Sequence, residues 1–255
     1  MVVMTDRPLI ILQVGFPSES IREVHGDIPS WFCRAIQHPL EKTEVIRVFE
    51  GEALPPPDAN RVAVITGSWA MVTDRLPWSE AAAGWVREAM SIGMSLFGVC
   101  YGHQLMAHAL GGEVEWHPQG REVGSQAIQL HPHASNDVLL STLPREFPAH
   151  LTHMQTVSRL PEGALALASS AHDQHQIVRY GPNAMSTQFH PEFTPEIAAD
   201  MIRQRETVLT EEGFDPLALL SGVLPSPEAT ELLRRFVHQA FNREAPQQEV
   251  LAQSA

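Results

Sequence analysis

Short apolar runs alternate along the first hundred residues with segments whose apolar positions recur at helical spacing. The helical pattern lies at 28–36 and 78–94, and apolar runs of strand length lie at 9–15, 45–49, 61–66 and 95–99. Each run is apolar on both faces, which is typical of strands in a parallel sheet covered by helices on both sides. The pattern therefore predicts an α/β fold, with its ligand site at the carboxyl ends of the strands.

The second half of the chain has a different pattern, in which polar and apolar residues alternate as in antiparallel strands. Strands are predicted at 113–116, 125–130, 164–168, 176–180 and 184–189. Helices are predicted at 195–210 and 227–243, with a proline-containing segment between them and a polar, frayed tail over 245–255. We expect one domain over 1–210 and a helical C-terminal extension over 211–255 that packs on the same domain.

Charge and cysteine content narrow the classes of partner and compartment. A formal net charge of −13 argues against nucleic acid or an anionic membrane as the main partner. Cys33 and Cys100 are the only cysteines, too few for a disulfide framework, which favours a reducing compartment. The apolar run at 8–14 is too short for a membrane span or a signal-peptide core. We therefore expect a cytoplasmic protein.

Cys100 lies between the end of a predicted strand and the start of a predicted helix, a position that requires a sharp turn. Gly98 and Gly102, two residues to either side, leave room for a strained backbone there. The field at a helix N-terminus lowers a thiol pKa and favours the thiolate. This position predicts that Cys100 is a catalytic nucleophile, although a lone cysteine after a strand is often just a small buried residue.

A thiol nucleophile needs a base and a group that orients the base, and His190 and Glu192 can supply both. They end a predicted strand two residues apart, so their side chains start on the same side of the chain. The backbone N–H of Tyr101 and the loop at 66–68 are candidate donors for the developing oxyanion. The other histidines show no ligand spacing that would indicate a metal site.

Two motifs carry a family resemblance: G-x-C-x-G-x-Q at 98–104 and Q-F-H-P-E at 188–192. In this order and separation they resemble the class I, triad-type glutamine amidotransferase family, and the resemblance extends over about 9–196. The chain looks most like free-standing proteins similar to the amidotransferase domain of GMP synthase. The resemblance implies a flavodoxin-like fold with an open, mostly parallel sheet, helices on both faces and some antiparallel strands in the second half.

The resemblance also implies an activity, namely hydrolysis of the side-chain amide of glutamine to glutamate and ammonia without a cofactor. Cys100 would form a γ-glutamyl thioester, His190 would carry the proton, and Glu192 would orient His190. Oxyanion donors would come from Tyr101 and from Gly67 or Ser68.

Substrate binding is where the chain departs from the family pattern. The resemblance implies that Gln104 and the backbone around His153 help to hold the substrate. Ser68 replaces the second glycine of the family's oxyanion loop, and Met154 and Gln155 replace Gly-Asp in the segment expected to recognise the amino-acid end of glutamine. A different γ-glutamyl amide or peptide would use the same chemistry.

The sequence also bears on possible partners and leaves several other functions open. No glycine-rich phosphate loop is present, and 198–255 is too short for a synthetase, so an ammonia acceptor would lie on a separate subunit. The helix at 227–243 is expected to pack on its own sheet, the alternative being a docking face for a partner or a homodimer. Other readings are a γ-glutamyl peptide hydrolase without a partner, a non-catalytic binding module, and a redox or chaperone-like protein that would not need Glu192.

Overall fold

The computed structural model describes residues 9–243, and its centre is a nine-stranded sheet accompanied by a two-stranded one. The strands are β1 (Leu9–Gln13), β2 (Thr43–Arg47), β3 (Val62–Ile65), β4 (Ser95–Val99), β5 (Glu113–Trp116), β6 (Glu122–Leu130), β7 (Glu146–His153), β8 (Gln155–Arg159), β9 (Leu165–Ser169), β10 (Ile177–Gly181) and β11 (Ala184–Thr187). The helices are α1 (Glu19–His25), α2 (Ile28–Ile36), α3 (Pro77–Ser91), α4 (Tyr101–Ala109), α5 (Pro195–Gln204), α6 (Glu206–Glu211), α7 (Pro216–Ser221) and α8 (Pro227–Asn242).

The large sheet has the strand order β2-β1-β3-β4-β11-β10-β9-β6-β7. Strands β2, β1, β3, β4 and β11 run parallel, and the remaining pairs are antiparallel. Strands β5 and β8 pair separately. The predicted α/β class is confirmed, with an open sheet that is parallel in its first half and antiparallel in its second.

Helices cover both faces of the parallel strands because the side chains of each strand alternate between two cores. Leu9 and Ile11 of β1 belong to a core that includes α2 and α8, whereas Ile10 and Leu12 belong to a core with α3 and α4. All five residues of β1 are buried, as are all five of β4. This two-sided burial explains why the strands read as continuous apolar runs.

Several elements departed from the predicted pattern, among them strand β8 and helix α7, which were not predicted. Strand β7 was not predicted, because Pro148 and several polar residues interrupt its sequence, which an edge strand tolerates. Helix α1 buries only Ile21 and so lacks an apolar stripe. The single helix predicted over 195–210 is wrong: it breaks at Arg205, beyond which Leu209 packs with Val123 in a small separate core.

The C-terminal helix α8 lies against α2 and strands β3, β4 and β7. Its apolar side, which includes Leu232, Leu233 and Phe236, is buried in the core on that face of the sheet. A domain boundary near residue 210 stays a prediction, and the tail over 245–255 lies outside the described residues. Within residues 9–243, no helix is both long and apolar enough to cross a membrane.

Candidate active site

Neighbouring strands of the parallel half end at one edge of the sheet, and the predicted site residues lie there. Gly67 follows β3, Cys100 follows β4, and His190 comes shortly after β11. Strand β4 pairs with β3 on one side and β11 on the other, so these three ends are adjacent. The topology therefore brings the predicted nucleophile between the predicted oxyanion loop and the predicted base.

Cys100 has a backbone conformation that is rare for residues with a side chain, with φ 52° and ψ −100°. The glycines beside it permit this turn. A Cβ on Gly98 would lie 2.5 Å from the carbonyl oxygen of Gly102, and a Cβ on Gly102 would lie 2.4 Å from the carbonyl oxygen of Ile65. Real Cβ atoms do not approach backbone atoms so closely, so both positions require glycine. Strain at a single residue held by close packing is typical of functional sites.

His190 and Glu192 form a buried ion pair in which His190 Nδ1 lies 2.7 Å from Glu192 Oε1. The other ring nitrogen, Nε2, has no hydrogen-bond partner within residues 9–243. Phe193 stacks on the imidazole, with ring centroids 4.1 Å apart. The carboxylate and the aromatic ring thus fix the orientation of His190 and leave one nitrogen free for a reacting proton.

The charges around the thiol favour a thiolate–imidazolium pair. Burial would raise the pKa of Cys100, but the positive charges of His190 and His153 hold it below its ordinary value. Burial would likewise lower the pKa of His190, but the carboxylate of Glu192 and the Cys100 thiolate raise it. Both shifts stabilise the ionised forms of the two groups.

The predicted oxyanion donors differ in how they are placed. A Cβ on Gly67 would lie 3.0 Å from His190 Cε1 and 3.7 Å from Cys100 Cβ, so this loop lies directly against both side chains. The Ser68 hydroxyl donates to the Val14 carbonyl at 2.7 Å, so its side chain ties the loop to the end of β1. Only the backbone of Ser68 is then available to a ligand. The Tyr101 hydroxyl is bound to Ser79, 2.6 Å away, which likewise leaves the backbone N–H for any role at the site.

Gln104 is held in place by two hydrogen bonds. Its Nε2 donates to the Gln155 carbonyl at 2.8 Å and to Gln188 Oε1 at 2.9 Å. It therefore connects helix α4 to the start of β8 and to the strand end that carries His190. Gln104 lines the same cleft as Cys100.

His153 is buried and carries a positive charge supported by Glu122. Its Nε2 lies 2.8 Å from Glu122 Oε2 and its Nδ1 lies 2.9 Å from the Gln155 carbonyl oxygen. Both partners accept hydrogen bonds, so both ring nitrogens carry protons. Burial opposes the charge, but the hydrogen bond and the negative charge of Glu122 raise the pKa of His153. Glu122 was not predicted as a site residue, because a charged residue within a strand pattern carries no local sign of burial.

Two clefts meet at Cys100, and Ser68, Trp69 and Thr152 line both of them. The polar cleft, of about 420 Å³, is further lined by Tyr101, Gln104, Arg121, His153, Gln155 and Arg205, among others. The apolar cleft, of about 390 Å³, is further lined by Pro17, Ile28, Trp31, Phe193 and Met201, together with His190 and Glu192.

Arg205 is a cation of the polar cleft that forms no salt bridge with the residues from 9 to 243. Its guanidinium lies 4.0 Å from the centre of the Trp69 ring, and its Nη1 donates to Thr152 Oγ1 at 3.3 Å. Burial and the neighbouring guanidinium of Arg121 lower its pKa to about 10. Arg121 itself is paired with Glu212 at 2.7 Å. An anion in this cleft would find Arg205 available to bind it.

Over the described range 9–243, no cluster of three or more histidine, cysteine, aspartate or glutamate side chains is placed to hold a metal ion.

Comparison with known proteins places these features in a family. The model of the "Glutamine amidotransferase class-I" family matches residues 61–208. The chain is 28% identical to a glutamine amidotransferase-like protein of Schizosaccharomyces pombe over 213 residues, covering 78% of this chain and 84% of that protein. It is 25% identical to gamma-glutamyl peptidase 5 of Arabidopsis thaliana, covering 77% and 80%. It is 32% identical to the GMP synthase of Thermosipho africanus, but that match covers 44% of this chain and only 21% of the relative.

Solved structures support the same fold. A glutamine amidotransferase from Thermotoga maritima has a TM-score of 0.73 at 19% identity, covering 93% of this chain and 100% of that one. A glutamine amidotransferase from Methylobacillus flagellatus has a TM-score of 0.66 at 23% identity, covering 92% of each chain.

Proposed function

The chain belongs to the class I glutamine amidotransferase family, and from this premise we propose that it hydrolyses the side-chain amide of glutamine or of a related γ-glutamyl compound. The products would be glutamate and ammonia, or glutamate and the corresponding amine. The observation that carries the proposal is the strained Cys100, which lies beside a buried His190–Glu192 pair in one cleft.

In the proposed reaction Cys100 attacks the amide carbonyl and forms a γ-glutamyl thioester. His190 accepts the thiol proton and passes it to the departing nitrogen, so the amine leaves neutral. Water then adds to the thioester with His190 as the base, and glutamate is released as the thiol is restored. Glu192 holds Nδ1 of His190 throughout, which keeps the other ring nitrogen toward the reacting atoms.

The developing oxyanion would be bound by backbone N–H groups of Tyr101 and of Gly67 or Ser68. Such donors are worth several kcal/mol in a site from which water is excluded. The hydroxyl of Ser68 is bound to the Val14 carbonyl, so the serine would replace a glycine without placing a new side chain at the oxyanion. The change from the family pattern at this position is therefore compatible with the proposed chemistry.

The glutamyl end of the substrate would lie in the polar cleft, with Arg205 binding the α-carboxylate. Gln104 and the backbone around His153, which belong to the same cleft, would help to hold the substrate. His153 would also act electrostatically, because its positive charge lowers the pKa of Cys100.

A γ-glutamyl hydrolase that works without a partner is the second candidate. Its support is the similarity to gamma-glutamyl peptidase 5, which covers most of both proteins, whereas the chain spans about a fifth of the GMP synthase it resembles. An amidotransferase that delivers ammonia would need its synthetase or acceptor site on a separate subunit.

Glutamate release from L-glutamine and from γ-glutamyl amides by the purified chain tests the proposal. We expect turnover by the wild type and by Cys33→Ala, since Cys33 is buried away from the clefts, and none by Cys100→Ala. A mass increase on Cys100 corresponding to a glutamyl group would identify the thioester. Turnover that survives in Cys100→Ala, or in Glu192→Ala at the wild-type rate, would contradict the proposed triad.

A further inference from the structure

The apolar cleft lies on the side of Cys100 from which the leaving group must depart. His190 lines the apolar cleft and is not among the residues of the polar cleft. In the proposed reaction, on which this inference rests, His190 gives its proton to the departing nitrogen. That nitrogen must therefore be on the His190 side of the scissile bond, with its substituent directed into the apolar cleft.

The charged side chains that line the two clefts favour the same orientation of the substrate. The polar cleft contains Arg121, Arg205 and the imidazolium of His153, which suit the charged end of a glutamyl group. Of residues 9–243, the ionisable side chains that line the apolar cleft are Cys100, His190 and Glu192. A glutamyl group placed the other way round would bury its carboxylate in a cleft where the positive charge of His190 is already paired with Glu192.

The lining of the apolar cleft suits an apolar substituent better than ammonia. Its walls are apolar: Trp31 and Phe193 meet edge to face with ring centroids 5.8 Å apart, and Ile28 and Met201 are nearly fully buried. Apolar walls of this extent gain binding free energy only when an apolar group displaces water from them.

We propose that the apolar cleft binds an uncharged alkyl or aromatic substituent on the leaving amine, so that the preferred substrates are N-substituted γ-glutamyl amides. A leaving amino acid or peptide would bring a carboxylate into the cleft, where no arginine or lysine lines the wall. Three classes of leaving group are thereby distinguished: ammonia, charged amines and apolar amines. The cleft should favour the apolar amines.

A homologous series of γ-glutamyl N-alkylamides, from methyl to butyl, tests the assignment. The leaving amines differ little in basicity, so the series varies the apolar surface alone. Binding is measured by calorimetry on the folded Cys100→Ala protein, which separates the cleft from the chemistry. We expect Kd to fall roughly fourfold for each added methylene. The 3-carboxypropyl amide, equal in length to the butyl amide but charged, is expected to bind more weakly than the butyl amide.

A substitution in the wall of the apolar cleft provides a second test of the assignment. Met201→Gln keeps the length of the side chain but makes it polar, and should reduce the preference for the butyl amide over glutamine. Met90→Gln, on the other face of the sheet, should leave that preference unchanged. An equal loss in both variants would mean that Met201 acts only through stability.

The outcomes separate this inference from the proposed hydrolysis. Tighter binding along the series without turnover by the wild type would support the cleft assignment and overturn the hydrolase. Turnover by the wild type with a flat series, or with glutamine bound best, would support the hydrolase and overturn the cleft assignment. A flat series with no turnover would overturn both.

Discussion

The variant Cys100→Gly should be about as stable as Cys100→Ala, although glycine usually destabilises a fold relative to alanine. Cys100 has φ 52° and ψ −100°, and a residue with a Cβ held in such a region costs roughly 1–3 kcal/mol. Glycine avoids that strain. It loses roughly 0.5–1 kcal/mol through backbone entropy and up to about 0.8 kcal/mol from the missing methyl group.

These terms nearly cancel or favour glycine, so Cys100→Gly should be as stable as Cys100→Ala or more stable by about 0.5 kcal/mol. The matched control is Ala107, a fully buried residue in the middle of α4, where the backbone is helical and unstrained. There the entropy and methyl terms add without compensation, and Ala107→Gly should destabilise by roughly 1.3–1.8 kcal/mol.

Thermal unfolding of the four proteins measures the difference between the two sites. A gap of about 2 kcal/mol corresponds to roughly 4–8 °C in Tm for a chain of this size. The thiol is absent from both variants at position 100, so its ionisation does not enter the comparison. If the change from alanine to glycine lowers Tm equally at the two sites, the turn at Cys100 carries no strain and the reasoning is refuted.

Three further predictions concern charge and packing around Cys100, the proposed nucleophile. Glu122→Gln should move the pH midpoint of alkylation of the site thiol by iodoacetamide upward, because His153 loses the carboxylate that keeps it charged; an unchanged midpoint would exclude this coupling. Arg205→Met should raise KM for glutamine by about tenfold or more, because a charge-assisted hydrogen bond to the substrate is lost. A KM unchanged in steady-state assays would exclude Arg205 from substrate binding. Gly102→Ala should lower Tm by several degrees, since the new Cβ would lie 2.4 Å from a carbonyl oxygen of β3, whereas Gly84→Ala in α3 meets nothing closer than 3.7 Å and should not.

The parts of the fold that the sequence predicted well are those whose burial is nearly complete. Strands β1, β3 and β4 are buried along their whole length, so no polar position interrupts their apolar runs. Helix α2 begins at the predicted residue because Asp27 caps it, accepting from the N–H of Ile28. The edge strand β7 alternates its buried apolar residues with Pro148 and polar residues, and the short helix α1 buries only Ile21, so neither produces an uninterrupted apolar run.

The residues of the candidate site likewise fall into two groups, those that local sequence could place and those that it could not. Cys100, His190 and Glu192 could be placed from their positions at strand ends, because parallel strands bring those ends together. Glu122 and Arg205 could not, since their roles depend on partners far along the chain. The break between α5 and α6 falls at Arg205, and its guanidinium reaches Trp69. Local periodicity instead predicted one continuous helix there.

The net charge of −13 is compatible with the binding proposed here for the α-carboxylate of a glutamyl group, because the two charges act over different distances. Exposed carboxylates are screened over about 8 Å at physiological ionic strength, so most of them contribute little field inside the polar cleft. The cations of that cleft are partly or fully buried and are screened much less. Glu122 neutralises His153, and Glu212 neutralises Arg121. Of the cations in that cleft, Arg205 then remains without an ion pair to any of residues 9–243. The excess of acidic residues thus still disfavours binding of a large polyanion to the protein surface. A single carboxylate inside the polar cleft encounters mainly the field of Arg205.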